Sequence, residues 1–192
     1  MSDTKSILLV GVGGQGTILA SRILTKGLIG AGYDVKMSEI HGMSQRGGSV
    51  STQVRFGEKV YSPIIGRGSA DAIVAFEQME ALRYTDFLKP DGMMVINDYR
   101  QPSLAIMMGD AEYPPGIIEE LSSKVRTVVF DAADVADSLG SLKVQNIVLL
   151  GALIRVIGLD NLDWESIISG EVPSKFKDMN LKAYNRGLEL AS

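Results

Sequence analysis

Two glycine-punctuated segments hold the residues whose types and spacing could do chemistry. The first, Gly11-Val12-Gly13-Gly14-Gln15-Gly16, has G-x-G-x-x-G spacing. Between a strand and a helix, such a turn aims backbone N–H groups and the positive end of a helix dipole at an anion. Gly11, Gly13, Gly14, Gln15 and Gly16 are therefore candidate phosphate-binding residues, although the same turn can serve only to let helix and strand pack closely. The second segment runs from Glu39 through Ile40-His41-Gly42-Met43-Ser44-Gln45 to Arg46-Gly47-Gly48-Ser49 and contains the one histidine of the chain. His41 is a candidate acid/base, as histidine is the side chain suited to that role near neutral pH, but no second titratable group at a fixed spacing pairs with it. Arg46 can grip a carboxylate or phosphate through two parallel hydrogen bonds. Gly47 and Gly48 let a ligand or a partner chain lie directly on the backbone.

Other clusters carry less. Glu39 lies near the position where a dinucleotide site wants its ribose acid, yet a solvated glutamate at a strand end explains it equally well. Gly109-Asp110-Ala111 reads as a turn or cap, and Asp131, Asp134 and Asp137 as a solvated helix face. Met93-Met94 and Met107-Met108 read as core.

The elements that must position these loops follow from hydrophobic period. Ile7-Leu8-Leu9-Val10 is an unbroken apolar run, as in a strand buried on both faces. A helical pattern follows from Gly14, then a strand at Val35-Lys36-Met37-Ser38. This βαβ unit, with its right-handed crossover, sets the glycine turn at the carboxyl edge of a sheet. Val50, Thr52, Val54 and Phe56 alternate with Ser51, Gln53 and Arg55, which predicts a half-exposed strand. Gly57-Glu58-Lys59 reads as a turn and Val60-Tyr61-Ser62 as a return strand, together an inserted β-hairpin. Alternation then resumes: strand Ala72–Phe76, helix Met79–Leu88, strand Met93–Ile96 after the Pro90-Asp91-Gly92 turn, a loop around Pro114-Pro115-Gly116, strand Thr127–Phe130 and helix Val135–Leu139. Helices alone close the chain, at Asn146–Ile157, Trp164–Ile168 and Ser174–Leu188. The expected fold is α/β and Rossmann-like, a mostly parallel sheet with an inserted β-hairpin and a helical C-terminal cover, in a single domain over residues 1–192.

Composition removes several function classes. A net charge of -4 with pI near 5.1 leaves no cationic excess for a phosphate backbone, so no nucleic-acid partner is expected. With no cysteine in 192 residues, disulfides and thiolate-held iron–sulfur or zinc sites are absent, and no metal is expected on this chain. The polar Met1–Ser6 start leads directly into a strand, which predicts a cytoplasmic protein. The longest apolar stretch, Asn146–Leu159, is short for a bilayer and contains Arg155, so no membrane span is expected.

Leu8-Leu9-Val10-Gly11-Val12-Gly13-Gly14-Gln15-Gly16, taken with Glu39 to Gly48, resembles the gamma-type domain of 2-oxoacid:ferredoxin oxidoreductases. The likeness continues through Asn146–Ala152 and Asn180–Gly187, almost the whole chain. Relatives acting on pyruvate usually show a Tyr-Gly-Pro-like stretch before Arg-Gly-Gly, whereas His41 to Gln45 resembles the branch acting on indolepyruvate. The resemblance implies a subunit for oxidative decarboxylation of indole-3-pyruvate and other arylpyruvates, with coenzyme A as co-substrate and ferredoxin as electron acceptor through the complex. It implies that thiamine diphosphate, magnesium and iron–sulfur clusters sit on a large partner subunit, that this chain binds none of them, and that it is inactive alone. A phosphate-bearing contact at Gly13 to Gly16 or at Arg46 is part of that expectation. Two alternatives stay open, a stand-alone NAD(P)-binding dehydrogenase and a non-catalytic assembly module docking through the Gly47-Gly48 edge.

Overall fold

Ile7, Leu8, Leu9 and Val10 are sealed from solvent, as an apolar run on both faces of a strand requires. In the computed structural model, which describes residues 4–41 and 48–192, they form the centre of β1 (Lys5–Val12). The glycine turn leads into α1 (Thr17–Gly30), followed by β2 (Asp34–His41), β3 (Ser49–Gly57), β4 (Ala70–Ala75), α2 (Gln78–Tyr84) and β5 (Leu88–Asn97). Next come α3 (Leu104–Met108), α4 (Ile117–Lys124), β6 (Arg126–Phe130), α5 (Ala132–Ser138), α6 (Gln145–Val156), α7 (Trp164–Glu171) and α8 (Lys177–Leu190).

The strands order as β2-β3-β1-β4-β5-β6. β1, β4, β5 and β6 run parallel, while β3 runs antiparallel to both β1 and β2. One face carries α1 and the C-terminal helices, whose Ile23, Leu24, Ile147, Leu150 and Trp164 share a core with Ile7, Leu9 and Val54. The other face carries α2 and α4, where Ala81, Ile117 and Leu121 pack on Leu8, Val10 and Ile73. The expected α/β fold with its helical C-terminal cover is present. Among the described residues no helix is long and apolar enough to cross a membrane.

The inserted hairpin exists with a different partner. Val60–Ser62 is not a strand, because β3 already has β1 on one edge and β2 on the other. Residues 60–65 are instead held by side chains. The Val60 N–H donates to Asp34 Oδ2 at 3.0 Å, Arg55 Nη1 donates to the carbonyls of Ser62 (3.0 Å) and Ile64 (3.3 Å), and the Ile65 N–H donates to Gln53 Oε1 at 2.6 Å. That cover buries the polar face of β3, so Ser51 and Gln53 are buried, as is Thr52 on the opposite face, and the half-exposed strand is the edge strand β2. Two short helices, α3 and α4, occupy the expected loop. Met107 and Met108 end α3 at 68% exposure each, which corrects their reading as core, whereas Met94 is fully buried. Gly109 closes α3 in the left-handed conformation (φ 82°), and Asp131 caps α5 by accepting from the N–H groups of Ala133 and Asp134.

Candidate functional site

The parallel strands bring four chain segments to the carboxyl edge of the sheet: the glycine turn after β1, and the loops after β4, β5 and β6. Within the turn the side chain of Gln15 folds back, its Oε1 accepting from the Val12 N–H at 2.8 Å. Its own N–H donates to the Val12 carbonyl at 3.2 Å. Gln15 is thus a staple that fixes the turn. Gly11 lies beneath that staple, where an added Cβ would stand 2.8 Å from Gln15 Oε1 and 2.9 Å from the Cβ of Phe76. Gly16 takes a left-handed conformation (φ 85°) as the N-cap of α1, and its carbonyl accepts from Asn146 Nδ2 at 3.2 Å. Gly14 (φ 105°) has open space where a Cβ would stand. The amides of Gly14, Gly16 and Thr17 have no acceptor among the described residues, and together with the α1 N-terminus they are donors that can receive an anion.

Of the second loop, Gly42 to Gly47 lie outside the described residues, so the candidates Arg46 and Gly47 are not placed. Its two ends are. Gly48 accepts from the Gly13 N–H at 3.0 Å, which ties the returning end to the glycine turn as a joint site requires. His41 ends β2 with Nε2 3.4 Å from Glu39 Oε2, two residues apart on one strand face. Glu39 is paired with Thr52 on β3. Because β3 separates β2 from β1, this acid stands two strand spacings, about 10 Å, from Leu9 of β1, and further from the glycine turn beyond Val12. A dinucleotide-binding unit sets its ribose acid on the adjacent parallel strand, and Glu39 does not stand there, so of the two features behind the nicotinamide reading only the glycine turn is in the expected place.

A crevice of about 310 Å³ opens beside the turn, lined by Gly13, Gly14, Gln15, Tyr99, Gln101 and Gln145 among others. Asn97, buried at the same edge of the sheet, donates from Nδ2 to the Phe76 carbonyl (3.1 Å) and accepts the Ala132 N–H (2.8 Å), which links the ends of β4, β5 and β6. Asn146 borders the glycine turn from the start of α6, 3% exposed and with Oδ1 lacking a partner among the described residues.

Sequence reasoning missed the buried acid network beside this crevice. Glu77 accepts from the Tyr113 hydroxyl, from the Gln101 N–H at 3.1 Å and from the Glu80 N–H at 3.0 Å. Glu80 Oε2 accepts from the Ser49 hydroxyl at 2.5 Å, and Oε1 lies 3.2 Å from Arg83 Nε. Burial pushes the Glu80 carboxyl above its usual range, against the Ser49 hydrogen bond and the Arg83 charge. Burial, then the Glu77 carboxylate, raises the Tyr113 hydroxyl. The available signal was position: Phe76-Glu77-Gln78 follows a buried strand directly at the carboxyl edge, where side chains at strand ends meet ligands or loops.

The arrangement can hold an anionic, phosphate-bearing group against the turn. Among the described residues no group of three or more His, Cys, Asp or Glu side chains could hold a metal, and the chain has no thiolate for a cluster.

Comparison with known proteins adds to this geometry. Residues 6–190 match the model of a family described as pyruvate ferredoxin/flavodoxin oxidoreductase. The indolepyruvate oxidoreductase subunit IorB of Thermococcus kodakarensis is 39% identical over 194 residues, covering 97% of this chain and 95% of that protein. The 2-oxoglutarate synthase subunit KorC of Methanothermobacter marburgensis is 29% identical over 97% of this chain and 96% of its own length. The crystal structure of a keto/oxoacid ferredoxin oxidoreductase gamma subunit from Geobacter sulfurreducens superposes with a TM-score of 0.72 at 27% identity, over 97% of this chain and 98% of that one.

Proposed function

The chain belongs to the pyruvate ferredoxin/flavodoxin oxidoreductase family, and on that premise we propose that it is the small subunit of an indolepyruvate:ferredoxin oxidoreductase, working in the cytoplasm with a larger partner. The observation that carries this reading is the end-to-end likeness to an indolepyruvate oxidoreductase subunit, which exceeds the likeness to a 2-oxoglutarate synthase subunit. In the reaction an arylpyruvate loses carbon dioxide, its acyl carbon is oxidised and passes to the thiol of coenzyme A, and the electrons go to ferredoxin. Thiamine diphosphate supplies the carbanion stabilisation such a step needs.

The donor set of this chain supports siting that cofactor, its magnesium and the iron–sulfur clusters on the partner. Without thiolates it cannot ligate a cluster, and the described residues supply no acidic group for an octahedral ion. Its own contribution is recognition. The amides of Gly14 and Gly16 at the α1 N-terminus receive a phosphate of coenzyme A, Gly48 keeps the second loop against the turn, and Arg46 adds a cationic contact. Such a chain is inactive alone.

The test is size-exclusion chromatography of this chain with its reconstituted large subunit, assaying each fraction for coenzyme A-dependent reduction of ferredoxin by indolepyruvate. A joint peak with activity, absent from either chain alone, is expected. A joint peak that turns over 2-oxoglutarate but not indolepyruvate refutes the substrate assignment, and separate inactive peaks refute the subunit reading.

A further inference from the structure

A second cavity lies at the amino edge of the sheet, at the other end of the strands from the glycine turn. It encloses about 240 Å³, below the 300–1,000 Å³ of drug-sized sites, and at about 30 Å³ per water it matches roughly eight waters. That volume suits a small metabolite.

Strand register fixes what this cavity presents. Ile7, Ala72, Met93 and Arg126 stand in one row across β1, β4, β5 and β6. Ile7 and Met93 from that row, Phe56 from β3, and Val156 and Ile157 at the end of α6 make an apolar wall. The rim is charged, with Lys5, Asp71, Asp91 and Arg126. Asp71 is already used: Oδ1 lies 2.7 Å from Lys89 Nζ and 3.7 Å from Lys5 Nζ, and Oδ2 accepts from the Ser6 N–H at 2.7 Å. Asp91 and Arg126 have no hydrogen-bond or ion-pair partner among the described residues. Asp91 falls in the irregular part of β5, two residues before Met93, which pairs with Arg126 on β6, so one negative and one positive group flank the mouth of a cleft walled on one side by apolar side chains. The α6 C-terminus beside them adds negative potential.

We propose that this cleft is a binding site for an α-amino acid with an apolar side chain of leucine to phenylalanine size. Asp91 and the α6 C-terminus face the ammonium group, Arg126 grips the carboxylate with its planar fork, and the side chain lies on Phe56, Met93 and Ile157. A ligand with both charges gains contacts to Asp91 and Arg126 together, a ligand with one charge gains only one of them, and one without an apolar group would leave the wall wet. The site is independent of the oxidoreductase reading, since it needs neither the partner nor the glycine turn.

The experiment is isothermal titration calorimetry of the full chain with L-phenylalanine, phenethylamine and phenylacetate, the last two each lacking one charge. Saturable L-phenylalanine binding is expected, with both analogues at least about tenfold weaker, the size of one charge-assisted hydrogen bond. Arg126→Gln should abolish the preference over phenethylamine, and Asp91→Asn the preference over phenylacetate. Both side chains are exposed, so the variants retain the fold. No saturable heat with L-phenylalanine, or unchanged affinity in Arg126→Gln, overturns the proposal.

Discussion

Replacing Gly187 with Ala tests the packing that holds the site together. α8 crosses α6 at Gly151 and Gly187, and a Cβ added to Gly187 would lie 2.0 Å from the Val148 carbonyl oxygen and 2.9 Å from the Ala152 nitrogen. These are backbone atoms, so no rotamer change relieves the overlap, and an ordinary contact near 3.5 Å requires the helices to part by about 1.5 Å. Overpacking of this kind costs roughly 1–3 kcal/mol and occasionally more, against a gain of about 1 kcal/mol because alanine is the better helix former. With the backbone unable to yield locally, a net loss of about 2 kcal/mol is expected, a fall in Tm of about 4–8 °C for a chain of this length. Gly170, in α7, is the control: nothing stands within 4 Å of its Cβ position, so Gly170→Ala should raise Tm by about 2–4 °C through the same propensity term. Differential scanning calorimetry of the two variants beside the wild type separates the effects. A Gly187→Ala protein as stable as Gly170→Ala would refute the close crossing.

Further predictions concern charge and the site. The Lys36 hydrogen bond, then that of the Val60 N–H, holds the Asp34 carboxyl down to about 2. A depressed carboxyl contributes stability that is fully present above its unfolded value near 3.9 and fades as pH falls through the folded value. The difference in urea midpoint between wild type and Asp34→Asn should therefore be constant above about pH 5 and shrink between about pH 4 and 2; a difference that persists at pH 2 would rule this out. Glu80 has the opposite sign. Its raised carboxyl favours folding below the unfolded value and loses that contribution as pH rises through the folded value. Glu80→Gln, which keeps an acceptor for Ser49, should melt higher than wild type at pH 7 and equal it near pH 4; a lower Tm at pH 7 would show that the Arg83 pairing outweighs burial. In the reconstituted complex, Arg46→Ala should raise the KM for coenzyme A about tenfold or more with assembly intact on size-exclusion chromatography. Loss of assembly with normal turnover in the remaining complex would instead mark the loop as a docking edge.

Local pattern made β1, the glycine turn and the α/β alternation readable, because a buried strand and a tight turn each leave their mark within ten residues. Long-range pairing left no such mark. The sequence offered Gly57-Glu58-Lys59 as the turn of the inserted hairpin, yet β3 pairs backward with β2 and forward with none of Val60–Ser62. That choice depends on β1 claiming the other edge of β3. α4 was hidden because only Ile117 and Leu121 face the core, too few positions to show a helical period beside two prolines. In the site, both loops were expected at the carboxyl edge, but the bond between Gly13 and Gly48 there had no mark in the sequence. Glu77 and Glu80 escaped notice because acids are rarely buried, and only the fold reveals Tyr113, Gln101 and Ser49 converging on them.

The antiparallel wedge of β3 between β1 and β2 also dictates an order of events in time. β2 and β3 are near neighbours in the chain, with Asp34 opposite Gly57 and His41 opposite Val50, so their loop is the cheapest to close. β1 waits longer, since Lys5 meets Phe56 and Ile7 meets Ala72. A nascent or truncated chain that stops short of β3 leaves Ile7-Leu8-Leu9-Val10 bare on both edges, a β-prone apolar segment free to pair with its like in another molecule. The hairpin, once formed, offers β1 its first template, so folding should begin in the middle of the sheet's sequence and capture the N-terminal strand afterwards.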